Sequence, residues 1–105
     1  MPNLVLETES FSKLFDSLEQ GEKEWIRKII HQLEDNLQVG KPLRFDWFRE
    51  KKYEGKRLYY LVSERNRKVL LVAFGDKKEQ DKIIQHVLQN REEYLRVLDS
   101  TPSAD

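Results

Sequence analysis

A run of six apolar residues, Val69 to Phe74 (VLLVAF), constrains the fold of this chain more than any other feature. Such a run, bounded by polar residues, is typical of a strand buried on both faces of a sheet. Two further stretches are rich in strand-forming residues, namely the aromatic and basic segment Leu43 to Tyr53 and the segment KRLYYLV after Gly55. The polar segment Ser63 to Lys68 (SERNRK) predicts a turn before the apolar run. We therefore predict three successive antiparallel strands, with Val69 to Phe74 as the central strand.

Helices are predicted before and after these strands, because apolar residues recur there every three or four positions. The short apolar block Leu4 to Leu6 predicts a first strand, and Thr8-Glu9-Ser10 supplies cap residues for a helix that begins near Phe11. Gly21 suits the left-handed end of that helix. A longer amphipathic helix follows, and a third comes after the strands. Their apolar positions are Trp25, Ile26, Ile29, Ile30, Leu33 and Leu37, and then Ile83, Ile84, Val87, Leu88, Tyr94, Leu95 and Leu98.

The order of these segments predicts the fold class. Gly40 and Pro42 end the helical section, and Gly75-Asp76 ends the apolar strand. The order is therefore β-α-α-β-β-β-α, with a helical hairpin near the N-terminus, and the segregation of helices from strands makes the chain α+β. Its 105 residues suit one domain, which we expect to span 1–105 with a frayed tail at 100–105.

Composition excludes several kinds of function. The chain has no cysteine, which rules out disulfides, thiolate metal ligands and cysteine nucleophiles. Neither His31 nor His86 has the neighbours that a metal site needs, and four glycines at apparent turns form no phosphate-binding loop. We therefore expect no metal and no small-molecule cofactor. No apolar run approaches the roughly 18 residues of a membrane span, and the first residues lack the features of a signal peptide, so we expect a cytoplasmic protein without a membrane partner.

The charged residues are distributed unevenly. The formal net charge of the chain is zero, yet residues 41–82 contain thirteen Lys and Arg against seven Asp and Glu, a net charge of +6. The two flanking segments together carry −6. A basic segment of this kind predicts a surface that binds anions such as nucleic acid.

The strand sequences resemble the RelE/ParE toxin superfamily. Gly55-Lys56-Arg57-Leu58-Tyr59-Tyr60 is similar to that family's G-[FY]-R-[IV]-x-Y strand, and Val69 to Lys78 is similar to its apolar strand followed by a basic loop. Phe74, Lys77, Lys78 and Gln80 further resemble the HigB-like and phage Gp49-like branch. The resemblance covers residues 4 to about 98 and implies that the hairpin packs on a curved, mostly antiparallel sheet.

In function, the resemblance implies the toxin of a type II toxin–antitoxin module, neutralised by an acidic, partly disordered antitoxin. In the RelE branch the toxin cleaves mRNA on the ribosome, using the 2′-hydroxyl of the RNA as nucleophile, so the protein must orient the backbone and stabilise the charged transition state. The alternatives are a ParE-like inhibitor of DNA gyrase and a catalytically inactive relative that binds a protein partner.

The resemblance also suggests site residues. Arg57 matches the strand arginine that contacts the scissile phosphate, and Lys77 matches the basic position after the last strand. The family's tyrosine or histidine acid has no match in Gln80-Asp81-Lys82-Ile83. Either His86 or the more distant Tyr94 could substitute, and we select His86. We therefore expect three catalytic residues and five that bind RNA. They are Arg57, Lys77 and His86 for catalysis, and Arg49, Lys51, Lys52, Lys56 and Lys78 for RNA binding.

A structural role remains open for several of these residues. Arg57 could pair with Glu50 or Glu54 instead of a phosphate. The pair Lys51-Lys52 could protect an exposed strand edge, and Lys77-Lys78 could form an ordinary solvated loop. Trp47 and Phe48 could stack on a base or pack beneath a helix.

Overall fold

The computed structural model describes residues 2–100. Five strands and four helices follow one another in these residues, with one 3-10 turn. They are β1 (Leu4–Glu7), α1 (Glu9–Asp16), α2 (Gln20–Asp35), β2 (Lys41–Leu43), β3 (Phe45–Tyr53), β4 (Lys56–Ser63), β5 (Lys68–Asp76), the 3-10 turn (Lys77–Glu79), α3 (Gln80–Gln89) and α4 (Arg91–Ser100). No helix in this described part of the chain is long and apolar enough to cross a membrane. The predicted α+β class is confirmed.

The strands form one sheet in the order β1-β5-β4-β3-β2. Strand β1 runs parallel to β5, and the other three pairings are antiparallel. The apolar strand β5 is buried along most of its length, as predicted. It is not the central strand, however. Strand β4 occupies the middle, because the short strand β2 extends the sheet on the far side and was not predicted as a strand.

The α1–α2 junction differs from the predicted one. Thr8 caps α1 as expected, since its hydroxyl accepts from the Phe11 amide. Gly21, however, lies within the first turn of α2 and does not end α1. The reason is a capping box, in which Glu19 and Glu22 satisfy each other's backbone amides and start α2 at Gln20.

The predicted third helix is two helices that break at Asn90. The side chain and the backbone amide of Asn90 both donate to the His86 carbonyl oxygen, at 2.8 and 3.1 Å, and the backbone of Asn90 leaves the helical conformation, with φ −109° and ψ 18°. The apolar positions of both helices face the sheet, which is why their spacing predicted a single helix. Ser100, predicted to fray, is the last residue of α4, and the rest of that predicted tail, residues 101–105, lies outside the described residues.

The helices cover the two faces of the sheet. On one face, called the α2 face, Ile26, Ile29 and Leu33 pack with Leu58 and Tyr60 of β4. The opposite α3 face is covered by α3 and α4. Its buried residues are Phe48, Tyr59, Leu61, Leu70, Val72, Ile84, Val87 and Leu98. Each fully buried aliphatic or aromatic side chain contributes roughly 1.5–3 kcal/mol, so the sheet is stabilised from both sides.

The end of α4 is attached to the sheet by polar contacts. The buried Lys68 ammonium donates to the Leu98 carbonyl oxygen at 2.9 Å, near the helix C-terminus where a cation is favoured. The Asn66 amide donates to the Asp99 carboxylate at 2.8 Å. These contacts fix the position of α4 over the α3 face.

Candidate nucleic-acid interface

The register of β3 and β4 divides the basic segment between the two faces of the sheet. Successive side chains of a strand point to opposite faces. Arg49 lies opposite Tyr60, so it shares the α2 face with that buried tyrosine. Glu50 lies opposite Tyr59, and Lys52 lies opposite Arg57, so these four share the α3 face.

On the α2 face, Arg49 binds the loop that connects α2 with β2. Only 8% of the residue is exposed, and its guanidinium donates to the backbone carbonyls of Gln38, Val39 and Gly40 at 3.1, 3.3 and 3.0 Å. Glycine is required in this loop, because Gly40 has φ +78° and a Cβ there would lie 2.1 Å from the Tyr60 hydroxyl oxygen. Arg49 therefore holds the α2–β2 connection, on the side of the sheet away from Arg57.

Lys56 and Lys51 also lie on the α2 face. The Lys56 ammonium pairs with the Glu22 carboxylate of α2 and lies 5.6 Å from the centre of the Phe74 ring. This hydrogen bond lowers the pKa of Glu22 and raises the pKa of Lys56. Lys51 is half-buried opposite Leu58. Three of the five predicted RNA-binding residues are thus separated from Arg57 by the sheet.

On the α3 face, a buried carboxylate of β3 is surrounded by polar groups from three other elements. Glu50 is only 3% exposed. Its Oε2 lies 3.4 Å from Nε of Arg57 and accepts a hydrogen bond from Nε2 of Gln80 at 2.9 Å. Its Oε1 lies 3.9 Å from the ammonium of Lys41 on β2. Arg57 is therefore paired with Glu50, one of the two structural alternatives left open by the sequence, and it is enclosed, with 12% of its side chain exposed.

Two donors in this cluster have no hydrogen-bond partner among the described residues. They are Nε of Arg57, whose contact with Glu50 is an ion pair without hydrogen-bond geometry, and the hydroxyl of Tyr59, whose approach to the Gln80 side chain likewise lacks hydrogen-bond geometry. Burial, followed by the charge of Glu50, raises the pKa of Tyr59 to about 12, so this phenol is protonated at neutral pH. An unsatisfied buried donor costs about 1–3 kcal/mol, which makes such groups candidates for ligand binding.

The exposed lysines lie around this cluster. Lys52, Arg57 and Gly75 are neighbours in one row across β3, β4 and β5. Lys77 and Lys78 follow two and three residues after Gly75, on the 3-10 turn, and both are exposed. The carboxylate of Glu79 covers Gly75, since a Cβ added there would lie 3.0 Å from Glu79 Oε1. The turn is capped by Asp76, which accepts from the Glu79 amide.

His86 is not part of this cluster. Gln80 at the start of α3 reaches Glu50, whereas His86 is six positions further on, roughly 9 Å along the helix. It is exposed, its ring lies 6.3 Å from that of Tyr94, and Glu7 and Glu93 line the same groove. The structure thus places His86 near the β1 edge of the sheet.

The sequence interpretation did not select Glu50, Tyr59 or Gln80 as site residues. A signal for the first two was present, because the short connection Glu54-Gly55 fixes the hairpin register and puts both on the face of Arg57. Gln80 comes from a separate element and had no such signal. Among residues 2–100 there is no group of three metal-ligating side chains.

Comparison with known proteins gives matches in structure only. No family model and no curated protein sequence matches the chain. A double mutant of the Escherichia coli toxin RelE in its free state superposes with a TM-score of 0.72 and 16% identity, covering 86% of this chain and 98% of RelE. The chain has the RelE fold.

Two complexes extend this comparison. The RelBE2 toxin–antitoxin complex of Mycobacterium tuberculosis matches with a TM-score of 0.62 and 20% identity, over 73% of this chain and all of that chain. An Escherichia coli RelE mutant bound to a peptide of the antitoxin RelB matches with a TM-score of 0.61 and 20% identity, over 83% and 96% of the two chains. At these identities the shared property is the RelE fold, and the site must be argued from its own geometry.

Proposed function

We propose that this chain is the toxin of a type II toxin–antitoxin module and that it cleaves mRNA on the ribosome. The observation that carries the proposal is the pairing of a buried carboxylate, Glu50, with Arg57, whose Nε has no hydrogen-bond partner among residues 2–100. Cleavage of RNA by its own 2′-hydroxyl requires a general base that takes the hydroxyl proton and fixed donors that stabilise the charge of the transition state. The RelE fold supports the same conclusion.

In the proposed reaction, the Glu50 carboxylate takes the proton of the 2′-hydroxyl. The 2′-oxygen then forms a bond to phosphorus, and the bond from phosphorus to the 5′-oxygen breaks. Arg57, which keeps 12% of its side chain exposed, donates to the phosphorane oxygens, whose negative charge grows in the transition state. The leaving 5′-oxygen takes a proton from water, and the products are a 2′,3′-cyclic phosphate and a 5′-hydroxyl.

The exposed lysines have a separate role in this proposal. Lys41, Lys52, Lys77 and Lys78 border the cluster and neutralise the phosphates on either side of the cleaved bond. A lysine at position 77 offers a point charge and no bidentate fork, so its contribution is electrostatic. The proposal assigns no contact with RNA to Arg49 or Lys56, because the groups they bind lie on the α2 face.

The test is cleavage of mRNA on programmed ribosomes by the purified protein, with cut sites mapped by primer extension. We expect Glu50→Gln to reduce the single-turnover rate by roughly 10²- to 10⁴-fold, the usual contribution of a general base. Arg57→Lys should also reduce it, since the guanidinium geometry is lost. Lys56→Gln on the opposite face is the matched control and should cleave at the wild-type rate. Intact mRNA at protein concentrations that arrest translation would contradict the enzymatic proposal.

A second candidate is a member that does not cleave RNA. The observation that favours it is the neutralisation of Arg57 by Glu50, together with Gln80 in the region where the resemblance leads us to expect an acid. Inhibition of DNA supercoiling by gyrase, without RNA cleavage, would select a ParE-like activity. An inactive relative would show neither activity and would still bind its partner.

The proposed partner is an antitoxin encoded with this chain and acting with it in the cytoplasm. The RelBE structures support it, because they contain a protein of this fold bound to its antitoxin. We expect the antitoxin to be acidic and partly disordered when free, which suits the basic surface around Lys52 and Lys77.

A further inference from the structure

Aromatic rings at the start of β3 form a continuous series that reaches the surface. The rings of Phe45 and Trp47 are stacked, with centroids 5.0 Å apart and planes 16° apart. Trp47 stacks in turn on Phe48 at 6.0 Å, and Phe48 lies 6.3 Å from Tyr59, which adjoins Glu50 across the strand pair. We call the outer pair, Phe45 and Trp47, the aromatic ledge.

The ledge is exposed, although core packing would be the ordinary role for such rings. Phe45 is 40% exposed, and one side of its ring is covered by Trp47. On α4, the Arg91 guanidinium lies 5.0 Å from the Trp47 ring centre, which fixes the indole by a cation–π contact. Phe45 therefore rests on a rigid support while it exposes apolar area to solvent.

The backbone at this point presents Phe45 outward. Arg44 adopts φ +71°, a left-handed conformation that non-glycine residues rarely take, and this turn brings Leu43 opposite Phe45. Such conformations cost about 1–3 kcal/mol and occur often at functional sites. Glu54 and Arg67 have the same kind of conformation in the β3–β4 and β4–β5 turns, so at Arg44 it marks the tight turn from β2 to β3.

Strand β2 connects the ledge with the Glu50–Arg57 pair. Lys41 at one end of β2 lies beside Glu50, and Leu43 at the other end lies beside Phe45. Lys41 and Arg44 are exposed cations along this edge. Glu50 and Phe45 are five residues apart on β3, but the register shift between Pro42 and Leu43 lets the three-residue strand β2 pair with both of them.

We propose that the aromatic ledge is a stacking site for one unpaired base of the RNA, a few nucleotides from the bond that Glu50 and Arg57 cleave. This inference rests on the proposed function and names a binding residue, Phe45, for its substrate. An RNA base suits the ledge better than an apolar protein segment does. Arg44 and Asp46 flank Phe45 in the sequence, and Arg91 contacts the ring of Trp47, so the ledge is surrounded by charged residues. A partner helix would require an apolar groove, whereas a base can stack beside charged groups.

The test uses the fluorescence of Trp47. The chain has two tryptophans, so Trp25→Phe leaves Trp47 as the sole reporter. The probe is a short single-stranded 2′-O-methyl oligoadenylate, which lacks the nucleophile and cannot be cleaved. We expect saturable quenching of Trp47 emission, and we expect Phe45→Leu to weaken oligonucleotide binding roughly 5- to 150-fold, the loss for one stacked base. Val97→Ala is the matched control, because Val97 is a comparably exposed apolar residue, 38%, on α4. It should bind as the wild type does.

The outcomes separate this inference from the proposed function. If Glu50-dependent cleavage occurs but Phe45→Leu binds and cleaves like Val97→Ala, the stacking site is wrong and the nuclease stands. If the oligonucleotide quenches Trp47 in a Phe45-dependent way but mRNA stays intact, the stacking site stands and the nuclease fails. Quenching by an antitoxin peptide and not by the oligonucleotide would overturn the inference and assign the ledge to a protein partner.

Discussion

The two faces of the β3–β4 hairpin use basic residues for opposite purposes. On the α2 face, Arg49 donates hydrogen bonds to three backbone carbonyls and Lys56 pairs with Glu22, so these cations stabilise the fold. On the α3 face, Arg57 is half-buried beside Glu50, yet its Nε and the Tyr59 hydroxyl have no hydrogen-bond partner among residues 2–100. The difference shows that adjacent cations in one strand can contact separate groups on opposite faces of the sheet, and we propose that only those on the α3 face bind RNA.

Among the variants that test this comparison, Arg49→Met should change the free energy of unfolding most. It keeps the aliphatic stem and removes the guanidinium. Three backbone carbonyls lose a charged donor, so we expect the free energy of unfolding to fall by about 3 kcal/mol. Urea denaturation measures this change. Lys51→Met on the same face is the control and should shift stability by less than about 0.5 kcal/mol. A loss for Arg49→Met as small as that of the control would show that the loop does not depend on the guanidinium.

An intermediate loss of stability is expected for each single variant of the pair on the α3 face, and no loss for the double variant. Glu50→Gln and Arg57→Met should each destabilise by about 2 kcal/mol, because each leaves its buried partner without a counter-charge. The double variant removes both charges and should be as stable as the wild type or more stable by about 1 kcal/mol, with cleavage abolished. Denaturation of the four proteins in a double-mutant cycle measures this. A double variant that loses the sum of the single losses would show that the two side chains are not coupled and would contradict the expected charge pairing.

The smallest effect is expected from the Glu22–Lys56 pair, because 45% of the Lys56 side chain is exposed. The pKa of Glu22 is lowered in the folded state, so its contribution is present above the usual value of 4.5 and is lost as pH falls through the folded pKa. The pKa of Lys56 is raised, so its contribution is present below the usual value of 10.5 and is lost as pH rises through the folded pKa.

A coupling of about 0.5–1 kcal/mol is therefore expected at neutral pH and should disappear at both pH extremes. A double-mutant cycle with Glu22→Gln and Lys56→Gln, repeated across this pH range, measures the coupling. High salt should weaken it, since the lysine is partly exposed. A coupling that does not change with pH would indicate a contact that depends on packing rather than on charge.

Local patterns in the sequence were sufficient for most of the elements. The β-rich segments predicted β3, β4 and β5, the polar Thr8 predicted the start of α1, and the apolar spacing predicted α2. These predictions succeeded because capping, alternation and helical periodicity act over a few neighbouring residues. The break at Asn90 escaped the same reasoning, since the backbone of one residue leaves the helical conformation without disturbing the apolar pattern on either side.

By itself the sequence determined the α+β class, the doubly buried strand from Val69 to Phe74 and the concentration of cations between residues 41 and 82. Only the tertiary structure decided which of those cations share a face and what each one contacts. The physical reason is that the facing of a strand residue depends on register with its neighbours, while partners such as Gln80 arrive from distant elements. The basic segment is thus one feature of the sequence and two separate surfaces of the folded protein.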